Sequence, residues 1–424
     1  MSVLVLQRLP LAAFPYPRWL AEYDGEVVVL AAAAAMDGVA PARGYPVLET
    51  FTDFDHPRVL RRAREEIAAR SITHVIAHHE ADVGRAAALR EEFGLAGAYP
   101  ADVVPFRDKL IMKARAMRAG IEVAPHSVPR SSAEAVRFAT AHGFPVVVKD
   151  RAGFSSIGLR IVRDRAELAG IEFGDVLLEA FVPGRMCHVD GVVAAGKTAL
   201  AWPSQYQYDL ASFGSDTGAR VDVTLDADDP LTGRLLEFTD RTLAALTGDG
   251  TSRLRDYAFH AEVFHTPDDR LVLCEIACRP AGAKVRDVLR SLFDADPAEY
   301  ATRAQLGLPL PALEQAMLAG ELPRPRAMGG QVLTMKRPGL VRSLPARPAE
   351  DWVQRFWVYA EPGQLIPPAA GSSDFLTAAV ATAPTRAECE RRLRDLGARI
   401  VAETDIVDET DIVAETDTLE AASC

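Results

Sequence analysis

Pro145-Val146-Val147-Val148-Lys149-Asp150-Arg151-Ala152-Gly153-Phe154-Ser155-Ser156-Ile157-Gly158 joins a β-branched apolar run to a lysine and then to a turn of small residues. The run Pro145–Lys149 reads as a buried strand. Lysine at its end, followed at once by Gly153–Gly158, offers a cation together with backbone N–H and hydroxyl donors, the groups that cradle a phosphate. Taken alone, the same pattern also suits a strand end emerging at a surface.

The flanking sequence extends the argument. Forty residues upstream, Asp108-Lys109 opens a helix expected over Arg107–Ala119 and closed by Gly120, which places a second lysine where it can reach a phosphate from another side. Downstream, Leu177-Leu178-Glu179-Ala180-Phe181-Val182-Pro183-Gly184 is a strand leaving the core through an apolar hinge whose backbone can bond an adenine edge. Tyr257–His265 and Leu271–Ile276 form a hairpin across Thr266-Pro267-Asp268-Asp269, with Glu262 on one arm and Glu275 on the other. An acid in an apolar strand is costly unless a cation pairs with it. Magnesium, which takes one or two carboxylates plus substrate phosphates, meets that need, and Arg279 can balance a phosphate in transfer.

The rest of the chain fixes class and scale. At 424 residues it holds two or three domains with a large core. Its 49% hydrophobic and 25% charged residues exclude disorder throughout. Net charge is −12, but residues 401–424 hold eight acids and no Lys or Arg, so the rest stands at only −4. Without a basic run, nucleic acid and anionic membrane are not expected partners. The longest apolar run, Val27–Met36, is ten residues, far short of the roughly 20 that cross a bilayer. The start, Met1-Ser2-Val3-Leu4-Val5-Leu6, reads as a first strand, and the expected location is cytoplasmic. Five scattered cysteines (187, 274, 278, 389, 424) suggest reduced, buried thiols.

Val27–Leu30 and Ile72–Ala77 read as parallel strands and Pro57–Arg70 and Ala81–Phe93 as helices, an α/β layer that ends near residue 105. Further elements are strands over Leu159–Val162, Val176–Glu179 and His188–Val193, a helix over Leu231–Leu246 and another over Ala298–Leu306. Residues 309–325 read as a connector, 331–400 as a further α+β unit, and the acidic period-six segment 401–424 as a solvated tail.

In order and spacing these motifs resemble the ATP-grasp superfamily, specifically its carboxylate–amine ligases, over roughly residues 70–290. The resemblance implies an N-terminal Rossmann-like domain (1–105), two α+β ATP-grasp subdomains (106–182 and 183–310) enclosing the nucleotide, and a small C-terminal α+β unit (311–400). It implies ATP and Mg²⁺, with Mn²⁺ as a substitute. Lys109 and Lys149 would hold the phosphates under a loop containing Gly153, Ser155, Ser156 and Gly158. Glu179, Ala180, Phe181 and Val182 would hold adenine, Glu262 and Glu275 the metal, and Arg279 the acylphosphate transition state with Lys149. The usual ribose acid is replaced by Met186, leaving His188 or Asp190 for that role, and Ala277 stands where many members carry Asn. Gly282 and Arg286 would contact substrate, and Gln205, Tyr206, Tyr208, Ser212, Ser215 and Asp216 would line an acceptor pocket. The implied partners are a small carboxylate and an amine, with a homodimer allowed for. The competing readings are a carrier-protein thiol or a carboxylated intermediate in the acceptor's place, or an ATP-binding regulatory protein without turnover.

Overall fold

The computed structural model describes residues 2–36, 44–212, 214–248 and 250–407. Four parallel strands open the chain, ordered Val47–Phe51, Glu26–Ala32, Ser2–Gln7, Ile72–Ala77. Each face is covered: Val3, Val5 and Val29 pack towards Phe14, Tyr16 and Trp19, and Leu4, Leu6 and Val28 towards the helices Pro57–Ala69 and Glu80–Phe93. Burial on both sides is why these strands are unbroken apolar runs.

The helix Lys109–Arg118 follows, two residues shorter at its start than the sequence suggests. Asp108 is the N-cap, its carboxylate accepting from the Leu110 and Ile111 N–H groups. Gly120, with φ 71°, takes the left-handed position after the last turn, as expected from the sequence.

A four-stranded antiparallel sheet then runs His126–Ser127, Val176–Ala180, Val146–Asp150, Arg160–Val162, and the helices Ser132–His142 and Arg165–Ala169 pack on it. The larger sheet has eight antiparallel strands in the order Leu271–Ala277, Tyr257–His265, Arg185–Ala194, Lys197–Tyr206, Ala219–Thr224, Met328–Met335, Phe375–Ala383, Val353–Val358. Helices Pro230–Thr247, Val285–Phe293 and Arg386–Glu403 pack against it.

Two sequence expectations change here. Strands from the segment 311–400 extend the eight-stranded sheet, because Met328–Met335 pairs directly with Ala219–Thr224. The tail reading fails for 401–407. Arg386–Glu403 is helical, and Asp405–Val407 pairs with Gly339–Ser343, bringing Ile406 against Val341, Ile366 and Leu376. Residues 408–424 lie outside the described residues. No helix among the described residues is long and apolar enough to cross a membrane.

Candidate active site

The two sheets and the helix Lys109–Arg118 meet at a cavity of about 530 Å³. Lys109, Lys149, Gly153, Ser156, Glu179, Ala180, Phe181, Val182, Glu262 and Glu275 all line it. Residues up to 166 positions apart in sequence therefore face one volume, and each arrives there for a local reason. Lys149 stands near the end of a strand whose Val146 and Val148 are committed to the core while Val147 and Lys149 alternate onto the cavity face. Lys109 stands in the first turn of a capped helix. Glu262 and Glu275 are directly opposite one another across their antiparallel strand pair.

Two carboxylates in that register repel unless cations intervene. Lys109 supplies one: its Nζ lies 3.1 Å from Glu275 Oε2 and donates to the Gly153 carbonyl at 2.7 Å. Burial alone raises the Glu275 carboxyl, but the charges of Lys109 and Lys149 and the hydrogen bond from Lys109 reverse this and hold it at about 2. Lys149 lies 2.9 Å from Glu179 Oε2, and burial, which opposes its charge, is outweighed by Glu179, Cys274 and Glu275, so its pKa moves up. Glu179 is pulled down in turn, against its burial, by Lys113 and Lys149.

Lys113 is the residue the sequence reading missed. It is wholly buried, with Nζ 3.0 Å from Glu179 Oε1 and 3.2 Å from the Cys274 carbonyl. The signal was available: Lys109 and Lys113 are four residues apart and share one helix face. Glu179 is consequently a carboxylate held between two lysines at the cavity wall. The Ala180 N–H is also committed, donating to the Pro125 carbonyl at 2.9 Å. Phe181 and Val182 are left as the hinge residues facing the cavity with uncommitted apolar surface.

The loop over the cavity has an uncommon backbone. Ser155 and Ser156 both adopt positive φ, 55° and 56°, and Gly158 has φ 75°. Consecutive serines there are strained, and strain of this kind gathers at functional sites. Its root is fastened to the helix: Lys109 N–H donates to the Arg151 carbonyl at 3.0 Å, Arg107 donates to the Ala152 carbonyl at 3.0 Å, and Arg151 pairs with Asp108.

Other sequence candidates fall elsewhere. His188 is fully buried and absent from the cavity lining, with Nδ1 2.5 Å from Asp190 and Nε2 3.0 Å from Asp222, so both ring nitrogens are occupied and neither His188 nor Asp190 is placed to bind a ribose. Met186, two residues back on the same strand face, is the residue that lines the cavity. Arg286 is neutralised by Asp296 at 2.7 Å and lies 4.1 Å over the Phe14 ring, which makes it a brace between the N-terminal layer and the helix Val285–Phe293, not a substrate contact. Arg279 lies outside the cavity lining, its Nε 2.5 Å from Glu80 Oε2; Glu80 also receives Arg107. Burial of Arg279 is overcome by Glu80, Glu275 and Glu262, so its pKa rises. Of the acceptor segment, Tyr206 and Tyr208 reach the cavity, Gln205 is buried against Cys187, and Ser212, Ser215 and Asp216 belong to outer turns. Gly282 sits in the loop after Arg279, beside Ser373. Cys278 is a buried thiol and Cys274 a half-buried one on the cavity wall; desolvation pushes both up to about 12.

Residues 108–185 match the family model described as the carbamoyl-phosphate synthase L chain, ATP binding domain. The chain is 30% identical over 184 residues to a D-alanine–D-alanine ligase of Pseudomonas fluorescens, covering 41% of this chain and 53% of that ligase. It thus spans about half the length of the curated relative it matches. Among solved structures, an L-amino acid ligase from Bacillus licheniformis superposes with TM-score 0.73 at 16% identity, covering 96% of this chain and 99% of that one. A biotin carboxylase domain of the Hydrogenobacter thermophilus 2-oxoglutarate carboxylase, in complex with MgADP and bicarbonate, superposes with TM-score 0.65 at 17% identity over 96% of this chain and 90% of that one.

Proposed function

We propose that this chain, which has the ATP-grasp fold of those enzymes, is an ATP-dependent ligase that activates a carboxylate and joins it to an amine. The observation that carries the reading is the convergence of Lys109, Lys149, Glu262 and Glu275 on one cavity under a strained small-residue loop. In the proposed reaction a carboxylate oxygen attacks the γ-phosphorus of ATP and ADP leaves. The amine then attacks the acyl carbon, phosphate departs and the nitrogen loses a proton. Lys109 and Lys149 bind the transferring phosphate and the loop excludes water from it, so the protein's contribution is positioning and charge neutralisation.

The facing carboxylates of Glu262 and Glu275 suit a divalent cation, because Lys109 is the counter-charge on Glu275 and a hard cation with oxygen ligands would serve both acids. Mg²⁺, when bound there, would neutralise charge on the phosphates. Phe181 and Val182, with Met186, offer the flat apolar surface that adenine needs. An amino acid or small peptide is the acyl donor favoured by the resemblance to amino-acid ligases.

The test is isotopic. Carboxyl-¹⁸O amino acids incubated with ATP, Mg²⁺ and an amine should pass label into inorganic phosphate, with ADP and phosphate formed in equal amounts. Label in AMP, or pyrophosphate release, would replace the acylphosphate route with adenylation.

A further inference from the structure

Outside the nucleotide cavity, Lys284 is a cation surrounded by rings. Its Nζ lies 4.2 Å from the centre of Trp357, 5.2 Å from Tyr359 and 5.4 Å from Phe375. Among the described residues no carboxylate comes within ion-pair distance of it; Asp287, the nearest in sequence, pairs with Arg290 and with Arg355, the latter at 3.2 Å. Burial lowers the ammonium to about 8, a cost that Asp287 offsets only in part. Ring faces attract a cation by about 0.5–2 kcal/mol, but they accept no hydrogen bond of the strength a carboxylate offers. Tyr359 is 40% exposed, so the cage opens to solvent on one side.

The position of this cation gives it meaning. Lys284 ends the loop that begins at Arg279, and Gly282 within that loop lies against Ser373, whose Oγ is 3.7 Å from where a Gly282 Cβ would stand. Ser373 Oγ is 3.4 Å from Ser155 Oγ, and the Ser372 N–H donates to the Ser155 carbonyl at 3.3 Å. The segment 371–375 therefore runs from the tip of the phosphate loop to Phe375 of the cage. A short chain of contacts connects the small-residue loop to an ammonium with no carboxylate partner among the described residues.

We propose that Lys284 and its three rings form a carboxylate-binding subsite that holds the amine substrate, a free amino acid, by its α-carboxylate. The carboxylate accepts from Nζ while the rings exclude water from the pair, and the amino group is left pointing towards the phosphate loop, where the acylphosphate would form. This assignment rests on the ligase reading above and narrows its amine to one carrying an acid.

Calorimetry with the full chain saturated in MgADP, titrated with each common L-amino acid and with its carboxamide, tests it. At least one free amino acid should bind, and its carboxamide should bind at least tenfold more weakly. Lys284→Gln should abolish that preference, Lys284→Arg should retain it, and MgADP affinity should be unchanged in both. No amino acid binding at millimolar concentration, equal binding of acid and carboxamide by the unaltered chain, or a preference that survives Lys284→Gln would each overturn the subsite. The two readings fail separately: ADP formation without a Lys284-dependent preference rejects the subsite alone, and a Lys284-dependent preference without ADP formation rejects the ligase alone.

Discussion

The strand Tyr257–His265 carries two kinds of charged network within three residues. Glu262 faces the open cavity, whose wall also carries the contact between Lys109 and Glu275. His260, two residues away, belongs to a sealed ladder: Nδ1 lies 2.8 Å from Asp190 Oδ1, Asp190 Oδ2 lies 2.5 Å from His188, and His188 reaches Asp222, which Gln331 Nε2 donates to at 2.9 Å. The ladder's residues stand on four strands of the large sheet, with Lys197–Tyr206 lying between Arg185–Ala194 and Ala219–Thr224, and it meets the cavity where His260 Nε2 stands 3.5 Å from Glu262 and where the Tyr206 ring stacks on His188 at 4.4 Å. Similar residue types thus do different work according to whether a cavity borders them. One network is held ready for a substrate; the other fixes the strands that carry it.

The sharpest way to break this comparison is to remove a rung. Asp190→Asn leaves the two histidines without their shared carboxylate in a dry interior, and breaking such a buried pair costs about 3–5 kcal/mol. Urea denaturation should show a loss of that size, with any residual folded protein still binding MgADP. A variant as stable as the unaltered chain would mean that the ladder does not hold the sheet together.

Glu275→Gln should weigh on turnover more than on the fold. It removes the counter-charge of the buried Lys109 but leaves that lysine its hydrogen bond to Gly153, so the melting temperature should fall modestly while ADP release falls by about 10²–10³-fold. Phosphate release measured across a magnesium titration checks this. Full turnover at limiting magnesium would remove Glu275 from the chemistry.

The contrast also explains what the sequence could disclose. Lys149, Glu262 and Glu275 were legible because each is a charged group in an apolar strand, an arrangement whose cost demands a reason. The hinge was legible from its apolar run, and Lys109 from its place at a helix start. The ladder was not. In sequence His188 reads as a candidate nucleotide contact, because its partner Asp222 lies 34 residues away, on a strand whose register no local pattern specifies. Arg286 was misassigned similarly: its counter-ion Asp296 follows a full helix later, and its stacking partner Phe14 is at the other end of the chain. Residues 401–407 looked like tail because a three-residue strand has no periodicity of its own, and its pairing with Val341 is a tertiary fact. Local chemistry shows in sequence; the bonds that position it do not.

The smallest expected effect concerns proton linkage, and it distinguishes the two networks by the pH at which each contributes. In the cavity, Glu275 is held at about 2, below its ordinary value, so its stabilisation is present above about 4.5 and is lost only as pH falls towards 2. In the ladder the sign is opposite. Burial disfavours the charged His260 ring, but Asp190 and Glu262 outweigh it and raise the ring to about 9, and Asp222 and Asp190 carry His188 well above its usual value in the same way. A group raised on folding contributes fully below its unfolded pKa of about 6.5 and loses that contribution as pH climbs through the folded value. Between pH 7 and 9 the His260 contribution should therefore fall by about 2 kcal/mol. Other groups titrate in or near this range, among them Lys284 at about 8, so the measurement is a difference: urea midpoints of the unaltered chain and of His260→Gln at both pH values. The unaltered chain should lose more stability than the variant across the interval. Equal losses would mean that His260 is neutral in the folded chain, and that ordinary hydrogen bonds hold this end of the ladder.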